Sequence, residues 1–277
     1  MIVQHNMTAA NANRQLGVTN KLLANSTEKL SSGYRVNRAA DDAAGLSISE
    51  KMRGQIRGLN RASANAQDGQ SLIQTAEGAL NEIHSIIQRM RELTVQASND
   101  TNVSGDRTAI AKELAALSSE IDRIASQTEY NTIKLINGDF TDKQLQVGAN
   151  TNQTITFSID AMSSSALSIK ATQIAGKVSG SIKGADLTNL ISTVNKALSM
   201  VSIQRSKLGA LQNRLDHTIA NADNMSENVQ SAESKIRDVD MAKEMVTYSA
   251  KSILQQAGQS MLAQANQSTQ GVLSLLR

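Results

Sequence analysis

Apolar residues recur in the middle of the chain at alternating spacings of three and four residues. This period is typical of an α-helix that buries one stripe of its surface. The main row consists of Leu72, Ala76, Leu80, Ile83, Ile87, Met90, Thr94 and Ala97. A second row, Ile73, Ile86 and Leu93, runs beside it, which indicates more than one neighbouring helix. The pattern therefore predicts one long helix within a bundle.

Two further helices are predicted on either side of a short β region. Turn-forming residues at 102–106 precede a row from Ile110 to Ile124 with the same spacing, which predicts an antiparallel partner. After Asp186, a candidate N-cap, the register continues to Ile236. Those fifty or so residues would form a rod of roughly 75 Å. Four polar residues interrupt the row without shifting it, namely Arg205, Gln212, Ser226 and Glu233. We expect an elongated antiparallel helical bundle.

Residues 138–185 follow a different pattern. Apolar and polar residues alternate there, which predicts two half-buried strands. The apolar members are Leu145, Val147, Ile155, Phe157 and Ile159. Residues 148–152 have the composition of a hairpin loop, and the Ser-, Gly- and Lys-rich residues 163–184 are expected to form a loop. This region is predicted to hold one β-hairpin and no further domain.

Both ends of the chain carry narrow, Ala-rich apolar stripes. The N-terminal stripe is Ile2, Ala9, Ala12, Leu16, Thr19, Leu23, Ser26 and Leu30, and the C-terminal stripe is Val246, Ala250, Leu254, Ala257, Met261 and Ala265. A helix that buries so little surface alone needs partners to persist in water. We therefore expect the terminal helices to pair as a coiled coil and to serve as assembly surfaces. We further expect them to be disordered in the free subunit and to become ordered on assembly.

Composition supports the helical interpretation and excludes several functions. The 277 residues include no proline, cysteine or tryptophan, and only 2% are aromatic. The absence of proline favours uninterrupted helices, and the absence of cysteine excludes disulfides and thiolate metal sites. The 28 basic and 25 acidic residues are interspersed, so nucleic-acid binding is not expected. No apolar run approaches the roughly 18 residues of a membrane span, and the polar first twenty residues do not resemble a cleaved signal.

Candidate catalytic groups do not converge in the sequence. His5, His84 and His217 are isolated, and the pair Asp41-Asp42 fits a turn and helix cap better than a cation site. We predict no catalytic, cofactor or metal site, and no enzyme activity. A polar face opposite the apolar rows, formed by Gln88, Arg89, Arg91, Glu92 and Gln96, is either a solvated surface or an intersubunit contact.

Distinctive motifs lie at both ends of the chain. They occupy Glu28–Asn37, Ala39–Leu46 and Ala66–Gly69, and later Lys207–Leu215, Ile236–Ala242, Gln259–Asn266 and Gly271–Arg277. In these segments the chain closely resembles bacterial flagellins, the subunits of the flagellar filament. The resemblance covers roughly residues 1–160 and 186–277. It implies a minimal flagellin, because residues 138–185 stand where other members carry variable outer domains.

The resemblance also implies a filament organisation and a set of partners. Residues 1–44 and 237–277 would form a discontinuous inner-tube domain, and residues 45–236 would form the outer-tube bundle with its hairpin. The subunit would be exported unfolded, form an extracellular filament used for motility, and bind further copies of itself. Other implied partners are the filament cap, hook–filament junction proteins and an export chaperone.

The resemblance further implies recognition by the host Toll-like receptor that senses flagellin. The family motif stands here as Gln88-Arg89-Met90-Arg91-Glu92-Leu93, with Gln96 and Glu113 at matching positions. Arg89 would be the anchor, since Arg is favoured at interface hot spots. Leu273, Leu275 and Leu276 match the C-terminal leucines associated with intracellular immune sensing.

Three alternatives were weighed against a filament subunit. A hook–filament junction protein shares the terminal helices but caps a polymer instead of extending it. A flagellin-like enzyme would carry a protease domain between the conserved ends, but residues 138–184 are too short for one and contain no His or Cys. A module that only binds the receptor would not assemble.

Overall fold

Six α-helices and two short antiparallel sheets make up the part of the chain that the computed structural model describes, residues 6–179 and 184–275. The helices are α1 (Met7–Ser32), α2 (Ala43–Ala97), α3 (Ser104–Gln127), α4 (Ala171–Ser179), α5 (Gly184–Arg237) and α6 (Met241–Leu275). The strands are β1 (Glu129–Tyr130), β2 (Ile133–Lys134), β3 (Lys143–Gln146) and β4 (Thr154–Phe157). The predicted mainly α fold with long helices is confirmed.

The chain divides into two compact units. The terminal unit comprises the residues up to Ile56 and those from Glu227 onward, and the central unit comprises Arg57–Ser226. Helices α2 and α5 contribute residues to both units. Each unit can therefore be described by its own contacts.

The core of the central unit follows the predicted apolar rows. From the α2 row, Leu80, Ile83 and Met90 are fully buried. The facing rows of α3 and α5 contribute Ile110, Leu114, Ile121, Val194, Val201, Leu208 and Leu215 to the same cluster. Burying a side chain of this size contributes about 1.5–3 kcal/mol relative to leaving it in water. The helical rows predicted from the sequence therefore form one continuous core.

The β region contains two hairpins, of which the sequence predicted one. Strands β3 and β4 pair antiparallel with Leu145 opposite Ile155, as the alternation of apolar residues indicates. Strands β1 and β2 form a second, smaller hairpin, and the positive φ angles of Asn131 and Thr132 make its turn. Two residues per strand are too few to show an alternating pattern. The β1–β2 hairpin was therefore not predicted from the sequence.

The expectation of a structureless loop over residues 163–184 was wrong. Helix α4 lies within it, and its residues Ile174 and Val178, four positions apart, are both 1% exposed. The segment before α4 is fixed to α3, because the Ser118 hydroxyl donates to the Ile169 carbonyl at 2.9 Å and the Asp122 carboxylate accepts from the Ser164 amide at 2.8 Å. Tertiary packing therefore stabilises a helix too short to persist alone.

In the terminal unit, α1 and α6 pair antiparallel as predicted. The Asn6 side chain donates to the Ala265 carbonyl at 2.9 Å, and Lys251 Nζ donates to the Ser26 hydroxyl at 2.8 Å. Between these contacts a Cβ added to Gly258 would lie 3.3 Å from Leu16 Cδ1, so glycine permits the helices to approach closely. The pair is held by a few polar contacts and by small residues.

The polar residues that interrupt the α5 row have polar partners on α2. In the central unit, Arg205 and Gln212 lie 3.7 and 3.4 Å from the carboxylate of Glu77, and the Ser226 hydroxyl donates to Asn60 Oδ1 at 2.7 Å. In the terminal unit, the Ser49 hydroxyl donates to the Glu233 carboxylate at 2.9 Å. Such pairs favour one register of the two helices over others.

Gln204 differs from these residues because its buried side chain has no partner. It is 1% exposed, and neither its Oε1 nor its Nε2 is hydrogen-bonded to any described residue. An unsatisfied buried polar group costs about 1–3 kcal/mol. We predict that Gln204→Met raises the free energy of unfolding by about 1–3 kcal/mol in urea denaturation.

Gln212→Met is the matched control for that experiment. Gln212 lies two helical turns away on α5 but donates to Glu77, so its replacement removes a hydrogen bond instead of an unpaired amide. No gain in stability is expected from it. Equal gains from both substitutions would contradict the role assigned to the unpaired amide of Gln204.

Candidate functional site

The predicted N-terminal stripe faces α6. Ala9, Leu16, Leu23 and Leu30 are half-buried, as expected for one side of a two-helix pair. Ile2, the first member of the stripe, lies outside the described residues. The half-buried state of this row shows that a single partner helix covers it only in part.

Of the predicted C-terminal stripe, Ala265 contacts α1, whereas most of the other members are exposed. Contacts with α1 are made by Lys251, Gly258 and Ala265, which are spaced seven residues apart. The main members of the predicted stripe are exposed: Val246 is 71%, Leu254 60% and Met261 62% exposed, and Ala250 and Ala257 are exposed as well. These residues were predicted to serve as an assembly surface, and that assignment stays a prediction. Helix α6 presents its larger apolar side chains away from its partner.

An apolar groove runs between α1 and α6 beside this exposed row. Its volume is about 290 Å³, and its lining residues are Ala12, Gln15, Leu16, Thr19, Leu254, Ala257, Gly258 and Met261. Ile253, which the sequence analysis did not single out, is 65% exposed and adds to the same surface. We call this surface, formed by the groove with Val246, Ala250 and Ile253, the apolar band. Extended exposed apolar surface of this kind marks an interaction site.

The second candidate site is the charged face of α2 and α3 in the central unit. Arg89 connects the two helices, because its Nη1 lies 3.1 Å from the Glu92 carboxylate and its Nε and Nη2 lie 3.2 and 3.1 Å from Glu113 Oε1. The hydrogen bonds that Arg89 donates, first to Glu92 and then to Glu113, raise its pKa above the usual value. The guanidinium is therefore permanently charged and held in one orientation, although about half of its side chain is exposed.

The other members of this face surround Arg89. Gln88, Arg91 and Gln96 are exposed, and Gln88 Nε2 lies 3.0 Å from His84 Nε2. A shallow depression of about 580 Å³ is lined by Gln88, Arg91, Glu92, Val95 and Gln96. Val95 is 53% exposed. It lies outside both apolar rows of α2, so the hydrophobic pattern does not reveal it. The face combines fixed charge with a small apolar contact.

Leu93 does not belong to this exposed face. It is 2% exposed and lies in the core, so it supports the face from below and cannot meet a partner directly. The C-terminal residues Leu273 and Leu275 lie in the last turns of α6, where side chains are not described. Leu276 lies outside the described residues.

Within residues 6–179 and 184–275, no group of three His, Asp or Glu side chains is arranged to hold a metal ion. None of the described helices contains an apolar stretch long enough to cross a bilayer. What the described surface offers is the apolar band and the charged face, and both are suited to protein–protein contact.

Truncation to alanine should affect stability little at Arg89 and strongly at Leu93. Surface ion pairs contribute about 0–1 kcal/mol, so Arg89→Ala should change the free energy of unfolding by less than about 1 kcal/mol. Leu93→Ala removes buried methyl groups and should cost about 2–5 kcal/mol. Urea denaturation of both variants tests this expectation, and a larger loss from Arg89→Ala would show that Arg89 is a core determinant.

Comparison with known proteins shows to which family the chain belongs. The model of the bacterial flagellin N-terminal helical region matches residues 3–141, and the model of the C-terminal helical region matches residues 191–276. Flagellins of Halalkalibacterium halodurans and Bacillus subtilis are 53% and 48% identical to the chain, each over the whole length of both proteins. The flagellar filament 33 kDa core protein of Treponema phagedenis is 47% identical, again over both full lengths.

Solved structures show the same fold at lower sequence similarity. A putative flagellar hook-associated protein from Vibrio parahaemolyticus superposes with a TM-score of 0.62 over 72% of this chain and 100% of that chain, at 12% identity. FlgL of Bacillus cereus gives 0.52 over 68% and 98%, at 14% identity. These two likenesses concern the fold alone, whereas the family models and the full-length relatives establish membership. The chain belongs to the bacterial flagellin family, in a form without large outer domains.

Proposed function

We propose that the chain is a structural subunit that polymerises into the flagellar filament by burying the apolar band of its terminal unit between copies. The observation that carries this proposal is the exposure of Val246, Leu254 and Met261 on the side of α6 that α1 leaves uncovered. Each Å² of apolar surface removed from water contributes about 25 cal/mol. Side chains left in water within one subunit therefore stabilise contacts with the next.

The proposed domains follow the interruptions in the helices. Residues 1–44 and 237–277 form the inner-tube domain, and residues 45–236 form the outer-tube domain. Helix α1 ends at Gly33, whose φ of 74° suits glycine, and the Asp240 side chain accepts from the amide of Lys243 at the start of α6. Gly33 thus ends α1 before α2 begins, and Asp240 starts α6 after α5 has ended.

Deletion of either chain end tests the division of roles. Without residues 1–44 or 237–277, the apolar band is incomplete, while the core of the central unit is retained. Each truncated chain should be a soluble, largely helical monomer by circular dichroism and should form no filaments in electron micrographs. Normal filaments from either truncation would contradict the proposal.

A point substitution tests whether the apolar band itself is needed for polymerisation, without deleting any part of the chain. Leu254→Ser removes an exposed apolar side chain from the band, so it should leave the thermal unfolding of the subunit unchanged and block or strongly weaken polymerisation. Gln256→Ser is the matched control, because Gln256 is also exposed on α6 but is polar. Equal effects of the two substitutions on polymerisation would count against the band.

The cellular setting of the filament follows from the same proposal. The subunit is exported to the cell exterior, and its filament serves motility. Its further partners are the filament cap, the hook–filament junction proteins and an export chaperone. Family membership supports these statements, together with a chain that contains neither proline nor cysteine.

The charged face is the proposed site for the host Toll-like receptor that senses flagellin. The contact residues are Gln88, Arg89, Arg91, Glu92, Gln96 and Glu113, with Leu93 acting through the packing beneath them. Arg89 is half-exposed and oriented by two carboxylates, so little side-chain entropy is lost when it binds. Leu273, Leu275 and Leu276 are the proposed contacts for intracellular immune sensing.

Arg89→Ala should weaken receptor binding by about 30-fold or more, the scale of an interface hot spot, and should also perturb the filament. Arg123→Ala is the matched control, since Arg123 is similarly half-exposed and pairs with Glu120 on α3 outside the motif. Titration of the purified receptor ectodomain with each monomer measures the effect. An unchanged affinity for Arg89→Ala would defeat the receptor assignment while leaving the filament proposal intact.

A hook–filament junction protein is the second candidate function, because a putative flagellar hook-associated protein shares the fold. Identities of 47–53% to flagellins and a filament core protein over their full lengths favour the filament subunit. Purified subunits should extend short filament seeds into long homopolymers. A subunit that binds seed ends and stops their growth would be a junction protein.

A further inference from the structure

The two segments that connect the terminal helices to α2 and α5 are joined by a short β-bridge. Tyr34 pairs antiparallel with Asp238. The Arg35 amide donates to the Arg237 carbonyl at 2.6 Å, and the Val239 amide donates to the Gly33 carbonyl at 3.0 Å. The chain thus leaves α1 and enters α6 side by side, within the terminal unit.

The side chain of Arg237 connects three parts of this junction. It belongs to the last turn of α5, its Nη1 lies 3.0 Å from Glu50 Oε1 on α2, and the same nitrogen lies 3.5 Å from the Ser49 hydroxyl. Its guanidinium carbon lies 4.7 Å from the centre of the Tyr34 ring, which follows α1. Only 13% of the side chain is exposed, so the contacts are partly shielded from water.

Arginine suits this position better than lysine does. Its planar guanidinium stacks on an aromatic ring while its nitrogens bond to a carboxylate, whereas the ammonium of lysine is a single point charge. The hydrogen bond from Arg237 is the main cause that lowers the pKa of Glu50. Ser49 is in turn fixed by its hydrogen bond to Glu233. The guanidinium is therefore oriented from several sides.

Stability alone does not account for this arrangement. The Nε of Arg237 is buried and has no hydrogen-bond partner among the described residues, and a buried unpaired donor lowers stability. The ion pair itself adds little to stability, because about half of the Glu50 side chain is exposed, and polar pairs are retained in some proteins because they select one geometry. At this junction the selected geometry is the placement of the end of α1 beside the start of α6.

We propose that Arg237 is a positioning residue for polymerisation, which joins the two connecting segments so that the end of α1 lies beside the start of α6. This inference rests on the proposed filament function. Helix formation has a costly first turn, and pairing two helices requires that their ends be brought together. A junction formed before assembly removes part of that cost from the assembly step. The subunit then polymerises at a lower concentration than it would without Arg237.

The experiment compares full-length subunits with Arg237→Gln, Arg237→Lys and Arg53→Gln. Arg53 is the matched control, because it also contacts Glu50, at 3.4 Å, but does not touch the connecting segments. We measure the critical concentration for growth from filament seeds, the rate of tryptic cleavage after Arg35 in the free subunit, and thermal unfolding. Trypsin reports whether the connecting segments are held together, a property that thermal unfolding of the central unit does not detect.

Arg237→Gln should raise the critical concentration about tenfold or more and speed cleavage after Arg35, with the main thermal transition unchanged. Arg237→Lys should recover only part of the loss, and Arg53→Gln should stay within about twofold of the wild type. Equal critical concentrations for Arg237→Gln and Arg53→Gln would overturn the inference. So would a lowered main transition in Arg237→Gln, because Arg237 would then be a general stability residue. Failure of the unmodified subunit to extend seeds would instead defeat the proposed filament function.

Discussion

The packing of the terminal unit is unbalanced: among the described residues, α6 has apolar side chains on more than one side, and α1 covers only one of these sides. Helix α1 covers the side that carries Gly258 and Ala265, and it leaves Leu254 and Met261 largely in water. Apolar surface of this size is costly for a subunit that remains alone and is favourable once a neighbour covers it. Polymerisation is therefore the state in which the terminal unit completes its packing.

The central unit has no such imbalance. Its rows on α2, α3 and α5 enclose one another, and the polar residues within the α5 row meet Glu77 and Asn60 on α2. Apolar burial supplies its stability, and the polar pairs select its register. A subunit built in this way can fold in two stages, with the central core first and the terminal helices on contact with the filament. The proposed Arg237 junction links the two stages, because it holds the end of α1 beside the start of α6.

The sequence predicted best what a long hydrophobic period determines. The α2 row from Ala76 to Ala97 is buried as expected, since a repeat of three and four residues leaves a helix no other side to bury. Short elements carry too few residues for a period to emerge, which is why β1, β2 and α4 were not predicted.

The residues that contact a partner were harder to predict from the sequence than the buried rows. Helix α6 contacts α1 at Gly258, which has no side chain and therefore gives no hydrophobic signal, and through the Ala265 carbonyl, which a pattern of side chains does not reveal. Leu93 was placed with its exposed sequence neighbours because a contiguous motif on a helix necessarily includes an inward position.

Amide hydrogen exchange of α1 and α6, measured in dilute free subunits and in assembled filaments, tests the central claim most directly. Backbone amides of helices that lack sufficient partners open often and exchange quickly, whereas those packed between subunits are protected. We predict rapid exchange throughout both terminal helices in the free subunit, slow exchange in the filament, and slow exchange of the α2 core residues in both states. Terminal helices that are already protected in the dilute subunit, to the same degree as in the filament, would contradict the coupling of folding to assembly.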